Sequence, residues 1–445
     1  MRARLATVLA MGLLAGPGAP AGEPVDYDLV IAGGRVVDGS GAPWQAADVG
    51  VRGDRIAAVG DLSHARATRR VDARGRYVTP GFIDLLGQSE YFVLVDPRAA
   101  SKVRQGITTE LTGEGDSIAP LSEAMLKLDA DQWRYYGVRP DWTDLDGYAR
   151  AFERARPALN LGTFVGAGGV RRHVLGDGDR PATAHELRRM EALVDQAMRQ
   201  GAFGLSSSLI YVPGRFASTE ELIALARVAA RHGGRYATHV RNEEDRIDEA
   251  LDEALRVGRE AGLPVEIYHL KTAGRANWGR MPAVLERLER ARAAGQDVGA
   301  DQYPWTASSN SLAAELPAFM LEGGSEALLA RLRDPQQRAR AREEYLKGAG
   351  GGEWPEKAGR ILIAGVLASE VKGAEGKTVA ELAAEQGKDP FEALLDLLLA
   401  DRGNTARVTF SMSEDDVRAA LRHRLVAFCT DSGARAEDGV LSTQK

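Results

Sequence analysis

Cysteine is almost absent. The chain of 445 residues has one, Cys429, so no disulfide can form within it. Nothing cationic flanks Cys429, which reads as a small buried hydrophobe rather than a reactive thiol. Histidine is scarce too, with seven residues, so any imidazole chemistry must come from few positions. No long basic run occurs, and 57 basic against 63 acidic residues leave a net charge of −6. That balance argues against nucleic acid as a partner. Beyond the N-terminus there is no apolar run long enough to span a membrane. At the N-terminus itself, Met1-Arg2-Ala3-Arg4 is a short positive region, Leu5 to Ala15 an apolar core, and Ala19-Pro20-Ala21 a cleavage pattern. This predicts a signal peptide over 1–21 and a periplasmic or secreted protein, free of the membrane after cleavage; the other reading is an uncleaved anchor.

What is present is an ordinary globular mixture, 44% hydrophobic and 27% charged, enough for one large domain and one small one. Residues 22–80 hold short strand-like runs, such as Tyr27-Asp28-Leu29-Val30-Ile31, broken by Gly33-Gly34, Gly39-Ser40-Gly41 and Gly53-Asp54. They predict a small β-domain. From Gly81 the texture changes to short apolar runs alternating with longer segments of helical period. The runs at Ile107–Leu111, Ala158–Val165, Phe203–Ser206, Tyr236–Val240, Val265–Leu270 and Val298–Tyr303 alternate with helical patterns. So many βα units in one stretch predict an α/β fold, a (β/α)8 TIM-type barrel over 81–445. Residues 306–405 break the rhythm and are rich in Arg, Glu, Ala and Gly, so a helical insertion is expected there, before a last strand at Leu425–Asp431. The chain stops soon after Asp431, and the barrel is therefore expected to lack its closing helix.

Few residues offer chemistry. His64, His185, His232 and His423 sit in or beside polar, Arg-rich stretches, and His173 follows Arg171-Arg172. His239 and His269 differ. Each ends an apolar strand-like run, about one βα unit apart, which places both at the C-terminal mouth of adjacent barrel strands. Two imidazoles so placed can converge on one zinc ion; the alternative is a pair of hydrogen-bonded core histidines. Asp431 ends the last strand-like run and points a carboxylate at the same mouth, where it could serve as general base, or else simply cap a turn. Glu114 lies between Gly113 and Gly115, which let the backbone turn sharply; ligand and solvated loop acid both fit. Lys271 would put a cation beside the mouth, unless an ordinary salt bridge uses it.

Together these residues resemble the amidohydrolase superfamily and, within it, the N-acyl-D-amino-acid deacylases (D-aminoacylases). The phrases that carry the likeness are V-T-P-G-F-I-D at 78–84, Q-G-I-T-T at 105–109 and G-A-F-G-L-S-S-S-L-I-Y-V-P-G at 201–214. Y-A-T-H-V-R-N-E at 236–243, Y-H-L-K at 268–271, N-W-G at 277–279, A-D-Q-Y-P-W-T-A at 300–307 and C-T-D-S-G at 429–433 complete it. The resemblance implies zinc held by His239, His269 and a third ligand that is Cys in the family. Aligning on Ser117 and Ala119-Pro120 puts Glu114 at that Cys position, and a carboxylate is a competent zinc ligand. It also implies Lys271, Tyr303 and Ser309 as substrate-binding groups, and Asp431 as the general base and acid of amide hydrolysis by a metal-activated water. The family's H-x-H after F-I-D serves a second metal. Here the stretch from Leu85 to Gln88 has no histidine, so one zinc ion is expected, with Gln88 at most holding a neighbour or touching substrate. An Arg beyond the last strand and the end of the β-domain are expected to be missing. The substrate implied is a small N-acyl-D-amino acid or a related D-configured amide or dipeptide. The competing readings are a catalytically inactive relative or fragment, and hydrolysis of a cyclic amide.

Overall fold

The computed structural model describes residues 26–347 and 354–442. The signal expected at 1–21 and the glycine run at 348–352 lie outside the described residues. The chain divides into two compact units, one up to Gly81 and one from Phe82 onward.

In the first unit Tyr27–Val36 is the central strand of a five-stranded sheet. It pairs antiparallel with Gln45–Arg52 and parallel with Ala67–Asp72 and Tyr77–Val78; Arg55–Gly60 extends the sheet beyond Gln45–Arg52. Alternation along the central strand buries Val30 and Val36, and Val49 on the neighbouring strand joins them.

The second unit is built on eight parallel barrel strands: Phe82–Asp84, Ile107–Thr112, Asn160–Thr163 with Val165–Gly166, Gly204–Ser208, Arg235–His239, Val265–Ile267, Val298–Gln302 and Val426–Phe428. The ring closes where the eighth strand meets the first. There Asp431 N–H donates to Leu86 C=O, Gln88 N–H donates to Ser432 C=O, and Gly87 bridges Ser432. This is the (β/α)8 architecture. The covering helices bury one face each. Helix Thr219–Arg231 starts at Ser218, whose hydroxyl accepts the Glu221 N–H, and it buries Leu222, Ile223, Leu225, Ala226, Val228 and Ala229. Those residues share one continuous core with Leu205, Val265 and Val298 of the strands. Each fully buried aliphatic side chain contributes about 1.5–3 kcal/mol of transfer free energy. Cys429 lies at zero exposure in the barrel interior, with Leu86, Phe164, Tyr268 and Tyr303.

The segment between the seventh and eighth strands is not purely helical. A three-stranded antiparallel sheet of Ala307–Ser311, Ala406–Phe410 and Ile361–Gly365 joins the helices there. The Ser308-Ser309-Asn310-Ser311 run lacks the β-branched and aromatic residues that signal a strand, and cross-strand pairing overrides that weak preference. The insertion has its own core, including Leu329, Ile361, Ile363, Phe391 and Leu398.

Candidate metal centre

The second barrel strand ends at Thr112, and Gly113-Glu114-Gly115 turns the chain across the barrel mouth. Gly113 and Gly115 have φ of +93° and +65°, conformations that L side chains rarely adopt. A Cβ at Gly115 would also collide with Ser208. The turn aims the Glu114 carboxylate at the ends of the fifth and sixth strands. Ser208 of the fourth strand pairs with His239 of the fifth, and the Ser208 hydroxyl donates to Glu114 Oε1 at 3.0 Å.

His239 and His269 close around the same oxygen. Glu114 Oε1 lies 2.9 Å from His239 Nδ1 and 3.3 Å from His269 Nε2, and the imidazoles are edge to face with centroids 4.4 Å apart. One ligand atom from each of the three residues falls within 4.8 Å of the others, the one such cluster of His, Cys, Asp and Glu among the described residues. A tetrahedral zinc ion with bonds of ~2.1 Å spaces its ligand atoms roughly 3.4 Å apart, close to what the three side chains offer. His239 Nε2, the other ring nitrogen, is buried with no hydrogen-bond partner, 3.6 Å from Glu243. Two imidazoles and a carboxylate at this spacing are a donor set that fits zinc. For Glu114, burial works to raise the pKa, but hydrogen bonding to His239 and then His269 outweighs it and holds the carboxyl well below its ordinary value.

Surrounding groups fix these side chains. His269 sits at φ +36° and Asp431 at φ +46°, both left-handed for non-glycine residues. The His269 N–H donates to Asp301 at 2.6 Å, which helps hold that strained backbone. Glu243 Oε1 is 3.2 Å from His269 Nδ1, 3.6 Å from His239 Nε2 and 2.6 Å from Lys271 Nζ. Burial raises the Glu243 pKa, but His239 and then Lys271 more than offset it and hold the group ionised. Gln88 donates from one amide nitrogen to Glu114 Oε2 at 2.8 Å and to Asp431 Oδ1 at 3.2 Å. Leu86 is fully buried. No imidazole faces the site from 85–88; Gln88 bridges two carboxylates instead. Burial pushes Asp431 up to about 6, against the counter-effects of His269 and Lys271.

Most of the expected residues converge. Lys271 Nζ reaches His269 Nδ1 at 2.7 Å as well as Glu243, so it serves the histidine directly. Tyr303 packs 6.1 Å from the His269 ring, and its buried hydroxyl has no partner, which leaves it free for a ligand. Ser309 is not brought in. It is exposed, and its hydroxyl donates to Arg407 C=O at 3.0 Å, because strand alternation turns Ser308 and Asn310, not Ser309, to the cleft. Sequence reasoning left Glu243, Tyr211 and Asp301 unassigned. Glu243 lies four residues after His239 in H-V-R-N-E, a spacing that could have drawn notice. Tyr211 stacks 5.4 Å from His239 and accepts from Asn310 at 3.0 Å, with no comparable signal. A cleft of about 890 Å³ opens beside the cluster, lined among others by Glu243, Lys271, Arg215 and Asn310.

Comparison with known proteins places this geometry. The amidohydrolase family pattern matches residues 69–438. An N-acyl-D-glutamate deacylase of Alcaligenes xylosoxydans xylosoxydans is 43% identical over 294 residues, covering 65% of this chain and 59% of that protein. A D-aminoacylase of the same organism is 42% identical over 287 residues, covering 64% and 59%. The chain thus spans about three-fifths of the length of these curated relatives. A solved D-aminoacylase with a binuclear metal center superposes with a TM-score of 0.73 at 35% identity, covering 91% of this chain and 75% of that one. An N-acyl-D-glutamate deacylase from Bordetella bronchiseptica, solved with zinc and a phosphonate inhibitor, gives 0.74 at 31% identity, covering 91% and 76%.

Proposed function

Because the chain belongs to the amidohydrolase family, and within it to the D-aminoacylases, we propose that it hydrolyses the amide bond of N-acyl-D-amino acids with one zinc ion held by Glu114, His239 and His269. The observation that carries the reading is the convergence of those three side chains, with Asp431 beside them, at the C-terminal mouth of the barrel. When bound, the ion supplies Lewis-acid polarisation of the acyl carbonyl and acidifies water.

The protein's own groups do the rest. Glu243 lies 3.2 Å from His269 Nδ1; with Nε2 given to a cation it would accept the Nδ1–H, and Lys271 would then donate to Glu243 alone. Lys271 keeps Glu243 charged and offers a cation at the cleft. Asp431 receives the proton of the attacking water and returns it to the leaving amine, with Gln88 fixing its carboxylate. The Tyr303 hydroxyl is free to donate to the substrate carboxylate. A catalytically silent barrel is the rival reading, favoured by Leu86 and Gln88 in place of histidines.

The test is turnover of N-acyl-D against N-acyl-L amino acids by zinc-loaded protein. Asp431→Asn is expected to lower kcat by about 10²- to 10⁴-fold while keeping its zinc. Zinc bound stoichiometrically with no turnover of either series would instead establish the silent barrel.

A further inference from the structure

We propose that Arg215 recognises a second carboxylate on the substrate, so that acidic N-acyl-D-amino acids are the preferred class. The inference rests on the deacylase reading above and names its substrate. Arg215 lies on the one-turn segment Gly214–Phe216, four residues after Tyr211, and lines the same cleft as Lys271 and Glu243. It is partly buried, and among the described residues its guanidinium has no hydrogen bond or ion pair.

Each cationic neighbour in the cleft has a carboxylate within ion-pair distance. Arg241 pairs with Glu253 through two nitrogens, at 2.8 and 2.9 Å, and Arg246 pairs with Glu249. Lys271 faces Glu243 at 2.6 Å, and both Lys357 and Arg407 face Glu315. Among the described residues, Arg215 alone of the lining cations has no carboxylate within ion-pair distance. Burial, and then the charge of Arg241, hold its pKa below the ordinary guanidinium value, a sign that the pocket disfavours the cation without a partner anion.

The stem of Arg215 is pre-set. Its N–H donates to Tyr211 C=O at 2.7 Å, and Arg241 donates to the carbonyls of Arg215 and Ala217, each at 2.9 Å. A pinned turn with a free planar fork suits bidentate capture of a carboxylate. The α-carboxylate sits one carbon from the scissile nitrogen and must stay near the metal, where Lys271 and Tyr303 stand. The amino-acid side chain is the part that extends along the cleft. Glutamates line the cleft as well as cations, so an acidic side chain is suited only where a cation lacks its own carboxylate, which is at Arg215.

The experiment compares N-acetyl-D-glutamate, N-acetyl-D-aspartate and N-acetyl-D-leucine on the full zinc-loaded chain. Both kcat/KM and calorimetric affinity are measured for the native protein, Arg215→Gln and Arg215→Glu. The native protein should favour the acidic compounds, and Arg215→Gln should cut that preference by about 10- to 100-fold, as loss of a charge-assisted hydrogen bond does. Arg215→Glu should cut it further. A preference unchanged by either variant, or a native preference for the leucine compound, would overturn the proposal. If nothing is turned over but the acidic compounds bind through Arg215, the deacylase reading falls and the recognition stands; if none of the three binds, both fall.

Discussion

Glu90 carries a burial cost that backbone hydrogen bonds at Glu90 and Gly113 offset only in part. It is 5% exposed, one of its oxygens has no partner, and burial, with Glu110 and Glu114 nearby, pushes its pKa up to about 8. Its carboxyl is thus neutral in the fold while the unfolded chain ionises it above about 4.5. A raised folded-state pKa gives stability that is complete below the unfolded value and fades as pH rises toward 8. Glu90→Gln removes that dependence. Its urea midpoint should gain on the metal-free native protein between pH 5 and 8, at about 1.4 kcal/mol per pH unit; a constant offset would mean that Glu90 is ionised in the fold. Glu243 gives a second test. Glu243→Gln should weaken zinc binding about 10- to 100-fold in a competition titration, since it removes the partner that orients His269. His239 and His269 were legible from their places at strand ends; Glu114 between glycines was ambiguous alone and was picked out by the alignment on Ser117 and Ala119-Pro120. Glu243 and Asp301 act on the site through His269; only the four-residue spacing from His239 hints at Glu243, and nothing local marks Asp301.

At the level of elements, the barrel is closed as much by side chains as by ladder bonds. The eighth strand meets the first through one isolated bridge and few main-chain bonds. Asp84 accepts the Thr430 N–H at 2.8 Å, and Lys102 Nζ reaches Asp84 at 2.7 Å, Thr430 Oγ1 at 2.7 Å and Glu110 at 3.2 Å. Asp84 and Glu110 have zero exposure. Lys102→Met would leave both carboxylates without their cation, at a cost of about 3–5 kcal/mol. Equilibrium denaturation should show that loss; a change below ~1 kcal/mol would mean that closure does not depend on the network. The strand and helix order was readable because apolar runs of strand length alternate with helical periods. The insertion sheet was not, because its strands at Ala307–Ser311 and Ala406–Phe410 are set by pairing with each other rather than by their own composition.

For the whole molecule, the proposed metal site would couple metal binding to folding. Glu114, His239 and His269 come from three separate βα units, so the unfolded chain offers no comparable site and zinc bound by them would stabilise the native state. Free zinc at about 100 times its Kd should add about 2.7 kcal/mol, seen as a rise of a few degrees in Tm that His239→Ala lacks. The most direct test of the account is the zinc content of purified protein, with His239→Ala and Glu114→Ala beside it. The account predicts about one ion per chain, lost in both variants. Full zinc content in either variant, or none in the native protein after loading, would contradict it.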